Sequence, residues 1–310
     1  MLLNVILFLM IPLQSYAEIT PLVLTKVSGH VYSAIGVTDA PSKANKGHNN
    51  NLSVVISNNG VLVVNGGASY KLAKALHLAI KQITKQKVVW VVNENSQGHA
   101  FLGNSYWSTQ GAKVIAHESA VKGIKEYGQR SLQGAIKLDK AQTEGTFVFV
   151  PEYSFKDKKI IQLGEGEGKL EIQLLHFGKA HSLGDISVWL PQDKVLITGD
   201  IAFHQRMLGV FPESDTKAWL ISFEKMQALN ALYVIPGHGS PTDMATITRY
   251  TYGYLKYLRS EIQKILDDDG DLLDAYKIDQ SAYRHLHVFD ELAVKNAGRV
   301  FQQMEEDSFE

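Results

Sequence analysis

Leu52 to Ile56 and Val61 to Val64 are β-branched apolar runs on either side of Ser57-Asn58-Asn59-Gly60. That arrangement predicts a β-hairpin, because Asn and Gly accept the backbone angles of a tight turn between two antiparallel strands. The next segments narrow the fold further. Gly66-Gly67 ends the second strand, and Tyr70 to Ile83 then places Leu72, Ala73, Leu76, Ala79, Ile80 and Ile83 at helical spacing. Val88 to Val92 is a fully apolar strand. A hairpin, a helix and then a buried strand build a sheet in which a parallel strand joins an antiparallel pair through a right-handed crossover.

The remaining pattern repeats this theme. Val31 to Ile35 reads as a short strand and the polar stretch Thr38 to Asn51 as a loop. After Val92 comes Asn93-Glu94-Asn95-Ser96-Gln97-Gly98-His99, a polar loop at the carboxyl end of a strand, where α/β sheets usually place their ligands. A short helix, a strand Lys113 to Ala116 and a helix through about Leu132 complete the first half. From Phe147 the pattern turns to β, with runs at Phe147 to Val150, Lys159 to Leu163, Leu170 to His176, Ile186 to Leu190 and Val195 to Thr198. Trp219 to Leu229 reads as a helix, Leu232 to Ile235 as a strand, Met244 to Leu266 as a long amphipathic helix, and Glu291 to Met304 as a last one. No short-period repeat and no low-complexity linker divides the chain, so residues 18–310 are expected to form one layered domain of two β-rich halves with helices outside.

Composition then removes several kinds of chemistry. There is no cysteine, which excludes disulfides, thiolate nucleophiles and Cys-ligated zinc or iron–sulfur sites, while 11 histidines make metal ligation or acid–base work the first question. Thirty-one Lys plus Arg against 32 Asp plus Glu give a net charge of −1, so no basic field exists to hold nucleic acid. Leu2 to Leu13 is an apolar run too short to span a membrane, and it leads to Ser15-Tyr16-Ala17, with small residues at the two positions a signal peptidase reads. Residues 1–17 are therefore expected to be a cleaved secretory signal. The mature chain would start near Glu18, carry no integral membrane segment and reside in a bacterial periplasm, which tolerates a protein without cysteine.

Three segments of the second half put a polar residue directly after an apolar strand. Gly178-Lys179-Ala180-His181-Ser182-Leu183-Gly184-Asp185 follows Leu170 to His176, Thr198-Gly199-Asp200 ends Val195 to Thr198, and Pro236-Gly237-His238-Gly239 ends Leu232 to Ile235. With His99, one rim of the sheets would carry three imidazoles and one carboxylate, a donor set suited to Zn²⁺ or a similar cation with a position open to water.

Those motifs, in that order, closely resemble the metallo-β-lactamase-fold hydrolases over nearly the whole mature chain. Leu102-Gly103-Asn104, Gly199-Asp200-Ile201-Ala202-Phe203 and Arg206-Met207 resemble its exported glyoxalase II-like and quinoprotein-associated branch. The resemblance implies a four-layer αβ/βα sandwich and a metal-activated water that attacks an ester, thioester, lactone or amide of a small-molecule substrate. It implies His99 and His238 on one metal, Asp200 as the bridging carboxylate and His181 on the other metal. The family's first loop reads His-x-His-x-Asp-His; here it is Glu94-Asn95-Ser96-Gln97-Gly98-His99, and only the last His is kept. Asn65 stands where the family usually has an Asp. A reduced site with one ion, zinc or else manganese or iron, is therefore expected in place of two. Glu94 is the candidate substitute for the general base lost at Gly98. A second reading keeps the fold but makes the chain a degenerate binding or accessory protein. His30, His48, His77, His117, His176, His285 and His287 are expected to be structural, and His204 is divided between substrate contact and a surface loop.

Overall fold

A computed structural model describes residues 19–308, so the signal expected at 1–17 lies outside the described residues. The chain begins with β1 (Thr25–Ser28), β2 (Val31–Ala34), β3 (Leu52–Ser57), β4 (Gly60–Val64), α1 (Tyr70–Ile83) and β5 (Val88–Asn93). It continues through α2 (Gly98–Phe101), α3 (Asn104–Thr109), β6 (Lys113–His117), α4 (Glu118–Leu138) and β7 (Tyr153–Phe155). The second half holds β8 (Lys158–Leu163), β9 (Leu170–Leu175), β10 (Ser187–Leu190), β11 (Val195–Phe203), α5 (Thr216–Gln227) and β12 (Tyr233–His238). It ends in α6 (Met244–Ile247), α7 (Gly253–Asp267), α8 (Leu272–Ala275) and α9 (Phe289–Asp307).

Two sheets result. The first has the order β1-β2-β3-β4-β5-β6-β7, and the second β12-β11-β10-β9-β8. β1 to β4 pair antiparallel, while β4, β5, β6 and β7 run parallel across their crossovers. In the second sheet only β11 and β12 are parallel. The hairpin turn between β3 and β4 and the crossover through α1 follow the sequence pattern directly. Ser69 caps α1 by accepting from the Leu72 amide, which satisfies one of the free N–H groups of its first turn.

Alternation along each strand explains the layering. Val55, Leu62 and Val64 of the first sheet meet Ile172, Val188 and Ile197 of the second in a core between the sheets. The opposite faces are buried as well: Val54 and Val63 lie under Leu72, Leu76, Ile80 and Trp107 of the helices on one side. On the other side Trp189, Leu196 and Val234 lie under Trp219, Phe223, Tyr254 and Leu258. The order helices, sheet, sheet, helices is the expected four-layer sandwich. It also explains why β3, β4 and β5 are continuous apolar runs: both faces of each strand are covered. Each such side chain contributes roughly 1.5–3 kcal/mol on burial.

The structure corrects several local expectations. Phe147 to Val150 forms no strand. Its alternation instead places Val148 and Val150 against Phe101, Leu102 and Ile124, and Phe149 against the core outside the first sheet, so period two here serves two clusters and no ladder. β1 was not expected, because its side chains are half-buried or exposed at a sheet edge and carry no apolar alternation. α4 runs six residues past Leu132 to close on Ala135 O at Asp139. The single helix expected from Met244 is one continuous rod with a π-helical turn at Thr248–Tyr252. There Thr251 Oγ1 accepts from Phe203 N and donates to Phe203 O, pinning the end of β11. Among the described residues no helix is long and apolar enough to cross a membrane.

Trp219 holds the second sheet to its helices: it is fully buried, and its Nε1 donates to Ile201 O at 2.9 Å. Trp219→Ala should cost about 3–5 kcal/mol. Urea denaturation should show this as a lower midpoint at unchanged slope; a midpoint within error of wild type would contradict the packing described.

Candidate metal centre

The candidate donors other than Asp200 follow or end strands at their carboxyl ends. β5 ends in Asn93, Glu94 follows it, and His99 lies in the first turn of α2. His181 lies between β9 and β10, and His238 is the last residue of β12. Asp200 corrects the expectation that it ends its strand: β11 continues to Phe203, with register breaks at Gly199 where it pairs with Pro236. Gly199 has φ +56°, and a Cβ there would stand 1.9 Å from Glu94 Oε2, so only glycine lets the strand bend past that carboxylate. Likewise a Cβ at Gly237 would stand 2.1 Å from Asp200 Oδ1.

The side chains converge. His99 Nε2 lies 3.2 Å from Asp200 Oδ2, and His238 Nε2 lies 3.4 Å from Asp200 Oδ1. One donor atom from each of His99, Asp200 and His238 falls within 4.8 Å of the others, close enough for all three to reach one ion. Glu94 Oε1 approaches His99 Nε2 at 3.6 Å. His181 Nε2 is 3.7 Å from Asp200 Oδ2 but takes a hydrogen bond from Gln97 Nε2 at 3.2 Å, and it does not join the group of three. Ser96 and Gly98, at two ligand positions of the family loop, bring nothing to the centre: Ser96 packs where Gly123 of α4 has no side chain, and Gly98 opens α2 beside Leu102.

The centre fits a cation. Glu94 Oε1 and Oε2, His99 Nε2 and Asp200 Oδ1 are buried without a hydrogen-bond partner. Buried carboxylate oxygens are costly when unpaired, and a metal ion satisfies them together with the imidazoles. His238 donates from Nδ1 to Asn49 O, which leaves Nε2 free as a donor atom. Burial lowers the His238 and His181 imidazoles to about 3 and about 4, so both are neutral and suited to ligation. Burial opposes protonation of His99 as well, but the Asp200 and Glu94 carboxylates outweigh it and raise that ring to about 10. Burial would raise the Asp200 carboxyl, yet the His99 charge holds it well below the usual carboxylate range. Glu94 is raised to about 7 by burial and by the charge of Asp200.

Several supporting residues were not expected. Asn95 Nδ2 donates to Asp200 Oδ2 at 3.2 Å and reaches Asp185 Oδ1 at 3.4 Å. Asp185 is itself held by the Ser182 amide and hydroxyl, and burial raises it to about 8. Asn51 Nδ2 donates to Pro236 O and Gly239 O at 2.8 and 2.7 Å, tying the loop before β3 to the one that carries His238. Arg206 Nη1 donates to Thr38 O and Asp39 O, so it pins the same loop. Asn95, Ser182 and Asp185 lie in the segments that carry Glu94 and His181, whereas nothing in the spacing links Asn51 or Arg206 to the centre. Of the histidines set aside, His77 bonds Tyr106 Oη, His117 caps α4, and His287 pairs with Asp39. His204 is also structural, bonded to Ser240 O and 7% exposed.

The His99–Asp200 pair gives a pH signature in metal-stripped protein. Folding raises the His99 pKa, so its contribution to stability is complete below its ordinary value of 6.5 and is lost as pH rises through about 10. Denaturant titrations should show stability still falling between about pH 9 and pH 10, above the values of about 7 and about 8 to which Glu94 and Asp185 are raised. His99→Gln should flatten that fall, and a wild-type curve already flat there would rule the ion pair out.

Comparison with known proteins gives the same picture. Residues 98–238 match the sequence profile of the Metallo-beta-lactamase superfamily. The chain is 24% identical over 224 residues to a metallo-beta-lactamase type 2 of Bacteroides fragilis, covering 70% of this chain and 78% of that one. It is 32% identical over 100 residues to a metallo-beta-lactamase type 2 of Elizabethkingia meningoseptica, covering 31% and 39% of the two. The structure of a metallo-beta-lactamase from Pontibacter korlensis superposes with a TM-score of 0.60 at 19% identity, over 76% of this chain and 99% of that one. The segment 98–238 thus matches the metallo-beta-lactamase superfamily in sequence, and the chain has the metallo-beta-lactamase fold.

Proposed function

We propose that the protein is a metal-dependent hydrolase with a single-ion site held by His99, Asp200 and His238, acting on an ester, thioester, lactone or amide of a small molecule. The match of residues 98–238 to the metallo-beta-lactamase superfamily supports metal-dependent hydrolysis as the broad class. The observation that carries the finer reading is the convergence of those three donors beside a buried carboxylate, Glu94, whose oxygens have no hydrogen-bond partner. When bound, a zinc, manganese or iron ion supplies Lewis-acid polarisation of a carbonyl and a more acidic water.

The chain's own residues account for the rest. Asn49 O fixes the His238 ring, and Asn95 holds one Asp200 oxygen, so neither ligand must be reordered when substrate arrives. Glu94 is the base in this reading. Its buried oxygens lie at the same cluster, the nearer one 3.6 Å from His99 Nε2, within reach of a proton released there. Phe203, Phe211 and Arg206 join His99, His181 and His238 around a cavity of about 190 Å³ in which the reacting group would sit. We place the mature protein in the periplasm, exported by the segment 1–17.

Metal analysis coupled to a substrate panel tests the reading. Wild-type protein should retain zinc, manganese or iron after growth in supplemented medium and should turn over at least one ester, thioester, lactone or β-lactam. Asp200→Ala should lose the metal and the thermal stabilisation that added metal gives wild type, about 2.7 kcal/mol at a hundredfold excess over Kd. Glu94→Gln should keep the metal yet lose about 10²–10⁴-fold in kcat. Protein that holds no metal under these conditions would sink the mechanism and favour the binding-protein reading. For export, amino-terminal sequencing of the periplasmic fraction should start at Glu18; protein found only with residues 1–17 attached would overturn the placement.

A further inference from the structure

Two cavities meet at His99. The smaller holds the three imidazoles, and a second, of about 440 Å³, opens on the other side, with Gly98 and His99 at its inner end. Its volume is in the range of small-molecule sites. Pro41 to Asn49 of the loop before β3 form one side, and α4 forms the other through Ser131, Gly134, Ala135 and Leu138. These four recur at helical spacing and are small or apolar. Away from the centre at His99, the charged lining residues, Lys46 and Asp139, are of opposite sign, so the outer part of the cavity has no net field for a charged ligand. Gly134 leaves open space where a Cβ would be, although glycine inside a helix costs about 1 kcal/mol relative to alanine.

Asn49 supplies an independent sign that a ligand belongs here. It is 4% exposed and lines both cavities. Its backbone carbonyl is used by His238, but its side-chain Oδ1 is buried with no hydrogen-bond partner. An acceptor so placed calls for a donor brought by the ligand. We propose that the larger cavity takes the uncharged apolar arm of an elongated acyl substrate, with Asn49 Oδ1 accepting a hydrogen bond from an N–H group at the arm's inner end, beside His99. This rests on the hydrolase reading above and deepens it: the scissile group would lie at the metal centre and the acyl chain along α4.

The test reads binding without turnover. Titration calorimetry with the neutral amides from butanamide to octanamide should show affinity rising about fourfold per added methylene in the wild-type holoprotein. In Gly134→Leu, whose new side chain enters the open space, that rise should stop, while the melting temperature stays at or above wild type because leucine is the better helix former. Asn49→Ala should weaken every member about fivefold and keep the slope. A flat wild-type series, an unchanged slope in Gly134→Leu, or no effect of Asn49→Ala would overturn the proposal. The expected slope in a protein that hydrolyses nothing would support the cavity assignment and sink the hydrolase reading, so the two failures are distinguishable.

Discussion

Asp200 is a carboxylate with no exposure to solvent, placed in the middle of a strand, and the surrounding structure is arranged to keep it ionised. Taking such a charge out of water costs several kcal/mol unless opposite charge and hydrogen-bond donors replace the lost hydration. Here the replacement comes from three directions: His99 from the end of β5, His238 from the end of β12 and Asn95 from the first loop. Because these groups come from both sheets, the sheets cannot shift against each other without uncovering the charge.

The backbone makes room for this at two points. Gly199 and Gly237 sit where any side chain would collide with Glu94 or Asp200, so the bulge in β11 and the end of β12 exist in their observed form only because these positions are glycine. The long segment between β2 and β3 adds a further tie. Through Asn49 and Asn51 it holds the His238 loop, and through Arg206 it is held in turn by the chain beyond β11. What reads as a polar connection is therefore one wall of the centre and the side of the larger cavity.

The departure from the family's first loop has a local logic. Of its three altered ligand positions, two now face α4 or Leu102, and the third carries Glu94, whose length brings a carboxylate back toward His99. The loop thus contributes one imidazole and one carboxylate to a single cluster, which is a smaller and more acidic site than a loop of four donors would build.

Much of this was legible from residue order alone. The hairpin around Asn58-Asn59-Gly60, the stripe of α1, the apolar strands and the polar residues at their ends are local consequences of turn chemistry and periodicity, and they carry both the sandwich and the set Glu94, His99, His181, Asp200 and His238. Tertiary structure alone decided which of these five meet: His181 is drawn aside by Gln97, Asn49 and Asn51 enter from a stretch that reads only as a polar loop, and Asn95 and Arg206, although inside recognisable segments, take supporting roles that spacing does not show. It also turned Phe147 to Val150 from an expected strand into a bridge between two clusters. The physical reason is the same throughout. Backbone propensity acts over a few residues, whereas the neutralisation of a buried charge and the shape of a cavity depend on groups that only the packed sheets bring together.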